Sequence, residues 1–225
     1  MRITILTGAG ISAESGLATF RASDGLWENH RIEDVATSEG FTKDPTLVHA
    51  FYNMRRKAAL DAVPNAAHLA LMRLEGHHDV TLVTQNVDDL HERAGSRDVI
   101  HMHGALNRAL CAACGHDWPA PIVMTPEDLC PACRQPTTRP DIVWFGEMPY
   151  HLERIWQALE ESELFVAIGT SGNVYPAAGF AQHAGRRGAT CLELNLDSSM
   201  NADDFDRQIL GPASETVPRW VGDLC

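Results

Sequence analysis

No run of the 225 residues is long and apolar enough to cross a bilayer, and no charged-then-apolar leader is visible, since Met1-Arg2 leads straight into Ile3-Thr4-Ile5-Leu6. The expectation is a soluble, cytoplasmic protein without a membrane partner. Cysteine is also scarce, six in the whole chain, far below the density at which disulfides replace a hydrophobic core. Cys191 lies in an apolar run and Cys225 is the last residue, and neither has a neighbour that suggests reactivity. Cationic excess is missing as well: 18 Lys and Arg face 30 Asp and Glu, for a formal charge of −12. That balance argues against sequence-specific or general nucleic-acid binding, which relies on clustered Lys and Arg. A basic protein segment is the easier macromolecular partner.

Against that scarcity, the grouping of four cysteines stands out. Cys111, Cys114, Cys130 and Cys133 form a C-x2-C-x15-C-x2-C array. Two such knuckles supply the four thiolates of a closed structural zinc site, which leaves no open position for chemistry. The alternatives are two disulfides or four unrelated thiols. Both pairs sit at turn-like positions, Cys114-Gly115 and Cys130-Pro131, which favours the metal.

Apolar runs of four to six residues recur at 3–6, 80–83, 99–102, 142–145, 164–168 and 191–194, most of them separated by stretches of helical spacing. Short buried strands alternating with helices predict an α/β fold, a doubly wound parallel sheet of Rossmann type covered on both faces. Asp44-Pro45 predicts a helix start, Asn65 caps a helix that stops at Gly76, and 87–94 reads as a short helix closed by Gly95. Two segments break the alternation, 17–64 and the cysteine run 106–139. They are expected to pack together as a small inserted domain, 31–63 with 106–140. The main domain is then 1–30, 64–105 and 141–225.

Directly after the first strand comes Gly8-Ala9-Gly10-Ile11-Ser12-Ala13, the G-x-G-x-x-A form of a dinucleotide phosphate loop. Alone it is weak, because glycine-rich turns after strands also serve only to change direction. The acidic residue expected at the end of a second strand is missing, since the chain enters the first insertion instead. Hydride-transfer enzymes normally have it.

Taken in order, Gly8 to Gly16, Phe20-Arg21, Thr84-Gln85-Asn86-Val87-Asp88, His101-Met102-His103-Gly104, the four cysteines and Gly169-Thr170-Ser171 together resemble the sirtuins, NAD-dependent protein-lysine deacylases. The likeness runs from Gly8 to about Ala213. It is closest to the bacterial CobB-like subgroup, class III, because Ala50-Phe51-Tyr52-Asn53-Met54-Arg55-Arg56 contains that subgroup's Tyr-x-x-Arg pair. The resemblance implies that NAD is consumed as a co-substrate and that one structural zinc is bound. The acyl-lysine amide oxygen attacks the ribose carbon bearing nicotinamide, and an alkylimidate resolves to free lysine and O-acyl-ADP-ribose. An amide oxygen is a poor nucleophile, so the site must hold it close and exclude water, with 18–30 as the natural lid.

On the same basis Gly8, Ala9, Gly10, Ser12, Ala13, Phe20, Arg21, Trp27, Gln85, Asn86, Val87, Asp88, Gly169, Thr170, Ser171, Asn195, Leu196, Asp197 and Ala213 are the NAD contacts. His103 is the candidate general base, and Asn86, which orders the ribose, is grouped with it as catalytic. Without the resemblance, a histidine at a strand end is more often structural. His101 has no comparable match. Asn86 and Asp88 have a bland reading too, as cap and dipole partner of the 87–94 helix, and both roles are compatible. Val143, Phe145, Gly146 and Glu147 on one side, with Gly172, Asn173 and Val174 on the other, resemble the segments between which the acylated peptide lies as an added strand. Read alone, they are a buried strand and a turn.

Tyr52 and Arg55 are three apart on a predicted helix and share a face. In this family those positions reach the acyl pocket. A guanidinium there needs an anion, so succinyl or malonyl lysine is an expected substrate beside acetyl lysine. Arg56 points elsewhere. The competing expectations are a protein ADP-ribosyltransferase using the same NAD site, and a non-catalytic zinc-ribbon binding module.

Overall fold

The computed structural model describes residues 1–19, 26–27 and 30–225. Phe20, Arg21 and most of the expected lid lie outside the described residues. In chain order the elements are β1 (Arg2–Thr7), a 3-10 turn (Ala9–Ser15), β2 (Leu26–Trp27), β3 (His30–Arg31), α1 (Ile32–Val35), α2 (Ser38–Lys43), α3 (Pro45–Asp61) and α4 (Ala66–Leu74). Next come β4 (Asp79–Thr84), α5 (Leu90–Ala94), β5 (Val99–His101), β6 (Gly104–Cys111), β7 (Asp117–Pro119) and β8 (Thr138–Ile142). The chain closes with α6 (Leu152–Glu161), β9 (Leu164–Ile168), α7 (Phe180–Arg186), β10 (Thr190–Asn195), β11 (Arg207–Leu210) and α8 (Ala213–Gly222).

Six of these strands make one parallel sheet in the order β11-β10-β9-β1-β4-β5. Reading outward from β1, the chain adds β4 and β5 on one side, then crosses to add β9, β10 and β11 on the other. This is the Rossmann arrangement, and its reversal point lies between β1 and β9. Strand side chains alternate between the two faces. Ile3, Ile5, Leu82, Val166, Leu192 and Leu194 therefore pack with Leu71 and Leu74 of α4 and Val217 and Val221 of α8. Their neighbours Leu6, Val83, Phe165, Ala167 and Cys191 pack with Ile155 and Leu159 of α6 and Phe180 and Ala184 of α7. A third cluster lies apart from the sheet: Val48, Phe51, Tyr52 and Ala59 of α3 meet Leu106, Ile142 and Trp144.

Both predicted caps form. Asp44 Oδ1 accepts from Leu47 N at 2.9 Å, with Pro45 as the first helical residue. Asn65 Oδ1 accepts from Ala67 N at 2.9 Å, while His68 Nδ1 accepts from Asn65 N at 3.3 Å. Three expectations are corrected. The helix foreseen over 87–94 begins only at Leu90, because the side chains of Asn86 and Asp88 reach Gly8 and Ser12 across the sheet. The 142–145 run is not a strand of the parallel sheet; β8 ends at Ile142, antiparallel to β6, and Trp144 turns into the third cluster. The edge strand β11 was not foreseen, since Arg207 and Gln208 are exposed and polar.

Two histidines are buried under the sheet's end. His91 donates from Nε2 to Thr7 Oγ1 at 3.0 Å, whose own proton goes to Thr84 Oγ1 at 2.8 Å. His68 packs edge-on to His91, with centroids 4.9 Å apart. Burial lowers the His68 pKa to about 4 and that of His91 well below its ordinary value. Both are neutral in the fold, so their contribution is intact above the unfolded pKa of about 6.5 and is lost as pH falls towards the folded values. Between pH 7 and pH 5 urea unfolding should show a loss of about 2 kcal/mol from His68, with His91 adding in the same direction. His68→Gln should flatten that dependence, and a mutant with the full wild-type slope would contradict the assignment.

Candidate NAD and zinc sites

The C-terminal ends of β1, β4, β9 and β10 open into one cavity of about 1010 Å3. Its floor is the reversal point, where the loop after β1 touches the loop after β9. Gly8 N donates to Ile168 O, and Gly10 N to Gly169 O, both at 2.9 Å. A Cβ on Gly10 would lie 2.6 Å from Gly169 Cα, and one on Gly8 2.7 Å from Gly169 O. The glycines are thus required by this loop-to-loop contact, before any phosphate is considered. Beyond Gly8 the chain continues as the 3-10 turn Ala9–Ser15.

Gln85, Asn86, Val87 and Asp88 follow β4 on the same side. Asn86 Nδ2 donates to Gly8 O and to Ser12 Oγ, each at 3.1 Å, and Ser12 Oγ donates to Asp88 Oδ2 at 3.2 Å. Asp88 Oδ1 accepts from Leu90 N at 3.2 Å. Burial raises the Asp88 pKa, although these donors and the charge of His101 act against it. His103 Nδ1 lies 3.2 Å from Gln85 O. A carbonyl only accepts, so Nδ1 carries the proton and Nε2 is the nitrogen able to take another. Burial lowers the His103 pKa, partly opposed by that bond, which keeps the ring neutral near pH 7.

Gly169, Thr170, Ser171, Asn195, Leu196, Asp197 and Ala213 line the far side. Asn195 Nδ2 ties β10 to Thr170 O at 2.7 Å. Beyond the residues foreseen, Glu14, Leu17, Met54, Ala58, Tyr175 and Met200 also line the cavity. Ala58 was findable, being three residues past Arg55 on α3. The others carry no pattern that marks them.

Tyr52 is fully buried, and its OH accepts from Trp144 Nε1 at 3.0 Å. One lone pair is used, and the hydroxyl proton is retained because burial pushes the pKa up to about 12. The Arg55 guanidinium lies 3.9 Å over the Trp27 ring. Arg56 turns the other way, donating to Leu106 O at 2.6 Å, Asn53 Oδ1 at 2.8 Å and Ile122 O at 3.1 Å.

Val143, Phe145, Gly146 and Glu147 line the opposite wall. Glu147 takes two bonds from Arg139, at 2.7 and 2.9 Å, and one from Trp144 N at 2.9 Å. Val143 N donates to His103 O and Phe145 N to Ala36 O, both at 3.0 Å. Val174 lines the cavity, while Gly172 and Asn173 line a small void behind it.

The four array cysteines stand apart from the cavity with all sulfurs within 4.8 Å of one another. Cys111 and Cys133 sulfurs are 3.6 Å apart, and those of Cys114 and Cys130 3.8 Å. A tetrahedron with 2.3 Å Zn–S bonds has an edge of about 3.8 Å. All four are free thiols, which excludes the two-disulfide alternative. The knuckles also match in backbone: Gly115 N bonds Cys111 O and Arg134 N bonds Cys130 O, both at 2.9 Å, with Gly115 and Arg134 in the left-handed region. The donor set fits a structural zinc.

The sheet, its glycine-lined reversal point and the four-thiol module define a nucleotide-binding α/β protein with an attached zinc module. A Sir2 family model matches residues 8–176, and the chain belongs to that family. It is 54% identical over 230 residues to the NAD-dependent protein deacylase of Escherichia coli strain K12, covering 99% of this chain and 82% of that one. The same identity, over 227 residues, relates it to the NAD-dependent protein deacylase of Vibrio vulnificus strain YJ016, covering 99% and 93%. A solved Sir2 homolog–NAD complex superimposes with a TM-score of 0.91 at 39% identity, covering 99% of this chain and 88% of its own.

Removing the metal should act through folding. Cys111→Ala, or prolonged chelation, is expected to release zinc, lower the melting temperature and abolish activity together, since structural zinc contributes on the order of 10 kcal/mol to small modules. A zinc-free protein that stays folded and fully active would contradict the structural role.

Proposed function

We propose that the protein removes acyl groups from protein lysines with consumption of NAD, and that negatively charged acyl groups are among its substrates. The observation that carries this is one cavity that gathers the loops after β1, β4, β9 and β10, His103, and the Tyr52/Arg55 face of α3. NAD supplies the electrophilic ribose carbon; acyl-lysine, NAD and one water, admitted only after nicotinamide has left, give free lysine, nicotinamide and O-acyl-ADP-ribose. The chain's residues bind, orient and move protons. Asn86 and Ser12 hold the ribose side, and Asp88 accepts from the nicotinamide carboxamide. His103 Nε2 takes the proton of the ribose diol, a role supported by its neutral ring and the fixed Nδ1–H. Trp27, which lines the cavity, belongs to the cover that keeps water out.

The acyl end faces Tyr52, Arg55 and Ala58. A hydroxyl kept neutral at pH 7 and a guanidinium stacked on Trp27 suit a carboxylate better than a methyl group. The peptide runs along 143–147 by backbone pairing, so sequence selectivity is low. The small unit, 31–63 with 106–140, supports one wall of the cleft. Cysteine usage, six in the chain with four gathered in one zinc-type array, supports a reducing compartment, the cytoplasm. ADP-ribosyl transfer to protein is disfavoured by the presence of this acyl pocket.

Arg55→Met should lower kcat/KM for a succinyl peptide about 100-fold while changing that for the acetyl peptide less than about threefold, the size of one buried charge-assisted pair. Parallel loss of both activities would sink the acyl-pocket reading. Arg56 is unsuitable as a neutral comparison, because its buried bonds make it part of the fold.

A further inference from the structure

His101 and His103 reach consecutive peptide units of the loop after β4. His103 Nδ1 is 3.2 Å from Gln85 O, and His101 Nδ1 is 3.1 Å from Asn86 O. The far sides of the two rings differ. His103 borders the cavity, whereas His101 Nε2 meets Glu92 Oε1 at 2.7 Å. Carbonyl and carboxylate oxygens only accept, so both ring nitrogens of His101 carry hydrogen and the ring is an imidazolium. Burial alone would lower its pKa, but Glu92, the Asn86 carbonyl and Asp88 together raise it. His91, on α5 with Glu92, is neutral and adds no competing charge.

Asn86 is thereby held at its backbone N–H, its backbone carbonyl and its side-chain Nδ2, which leaves Oδ1 for a ligand. Its N–H donates to Thr84 Oγ1 at 3.0 Å, and its side chain donates to Gly8 O and Ser12 Oγ. His101 holds the remaining carbonyl, and Val87 O accepts from Leu106 N at 2.7 Å. Without His101 the Asn86 carbonyl is left in a residue only 7% exposed, and the peptide leading to Asp88 loses its orientation.

We propose that His101, clamped between the Asn86 carbonyl and the Glu92 carboxylate, is a positioning residue that presets the 86–88 segment for NAD. The inference rests on the NAD-dependent reading given above. It assigns the two histidines opposite tasks: one stays neutral to accept a proton, the other stays charged to hold the loop.

The test is calorimetric titration of NAD into the zinc-loaded full chain between about pH 6 and pH 9, with steady-state kinetics alongside. His101→Phe keeps a ring and removes both bonds. Glu92→Gln, at an exposed position, removes only the charge. His101→Phe should weaken NAD binding about tenfold, the scale of one hydrogen bond to a charged group, with the KM for acyl peptide unchanged. A group whose pKa is raised by a partner loses its proton as pH rises, so Glu92→Gln should match wild type near pH 6 and lose NAD affinity at a lower pH than wild type does. If wild type binds NAD and Glu92→Gln follows it at every pH, the proposal is overturned, whether or not His101→Phe folds. If wild type neither binds NAD nor releases nicotinamide, the functional reading itself falls.

Discussion

The contact between the loop after β1 and the loop after β9 is the constraint on which the site depends. Gly8 and Gly10 lie so close to Gly169 that no side chain fits between them. Parallel strands β1 and β9 are neighbours in register, Thr7 opposite Ile168, so both loops leave the sheet at one level. This closeness makes a shallow floor of backbone at the reversal point, and the loops after β4 and β10 build the walls. The polar network of Ser12, Asn86 and Asp88 then stitches the β1 loop to the β4 loop. In that network Ser12 Oγ both donates and accepts, Asn86 Nδ2 donates twice and each Asp88 oxygen accepts once.

The wall opposite depends on a different set of forces. Residues 31–63 and 106–140 share the third hydrophobic cluster, and buried Arg56 joins α3 to Leu106 and to the 122–124 stretch of the cysteine module. The four thiols gather that module, and Arg56, bonded to Leu106 O and Ile122 O, ties α3 to it. Tyr52 lies one turn before Arg56 on the same helix and Arg55 directly before it, so the helix that carries both is tied to the cysteine module through Arg56. A guanidinium packed on Trp27 at one side of the cavity and a neutral imidazole on the other form an asymmetric pair. One end is suited to an anion, the other to a proton.

Much of this was legible in the residues. The continuous apolar runs near 3, 80, 99, 164 and 191 became strands of one sheet, because burial on both faces leaves no polar alternation to misread. Asp44-Pro45 and Asn65 marked real helix starts, since capping is local. What failed depended on distant partners. Asn86 and Asp88 look like a helix cap until Ser12, more than 70 residues away, takes their side chains. Trp144 looks like strand until Tyr52, 92 positions earlier, accepts its indole N–H. The polar edge strand β11 has no hydrophobic period at all. In sequence His101 merely alternates with His103, and the two differ through Glu92, which lies on another element.

The central claim is that the cavity transfers an acyl group from lysine to the ADP-ribose part of NAD. The direct measurement is mass spectrometry of the products from a succinyl-lysine peptide, NAD and the zinc-loaded protein. The expected products are free lysine peptide, nicotinamide and O-succinyl-ADP-ribose in equal amounts. ADP-ribose attached to protein, with the peptide's acyl group still in place, would contradict the claim.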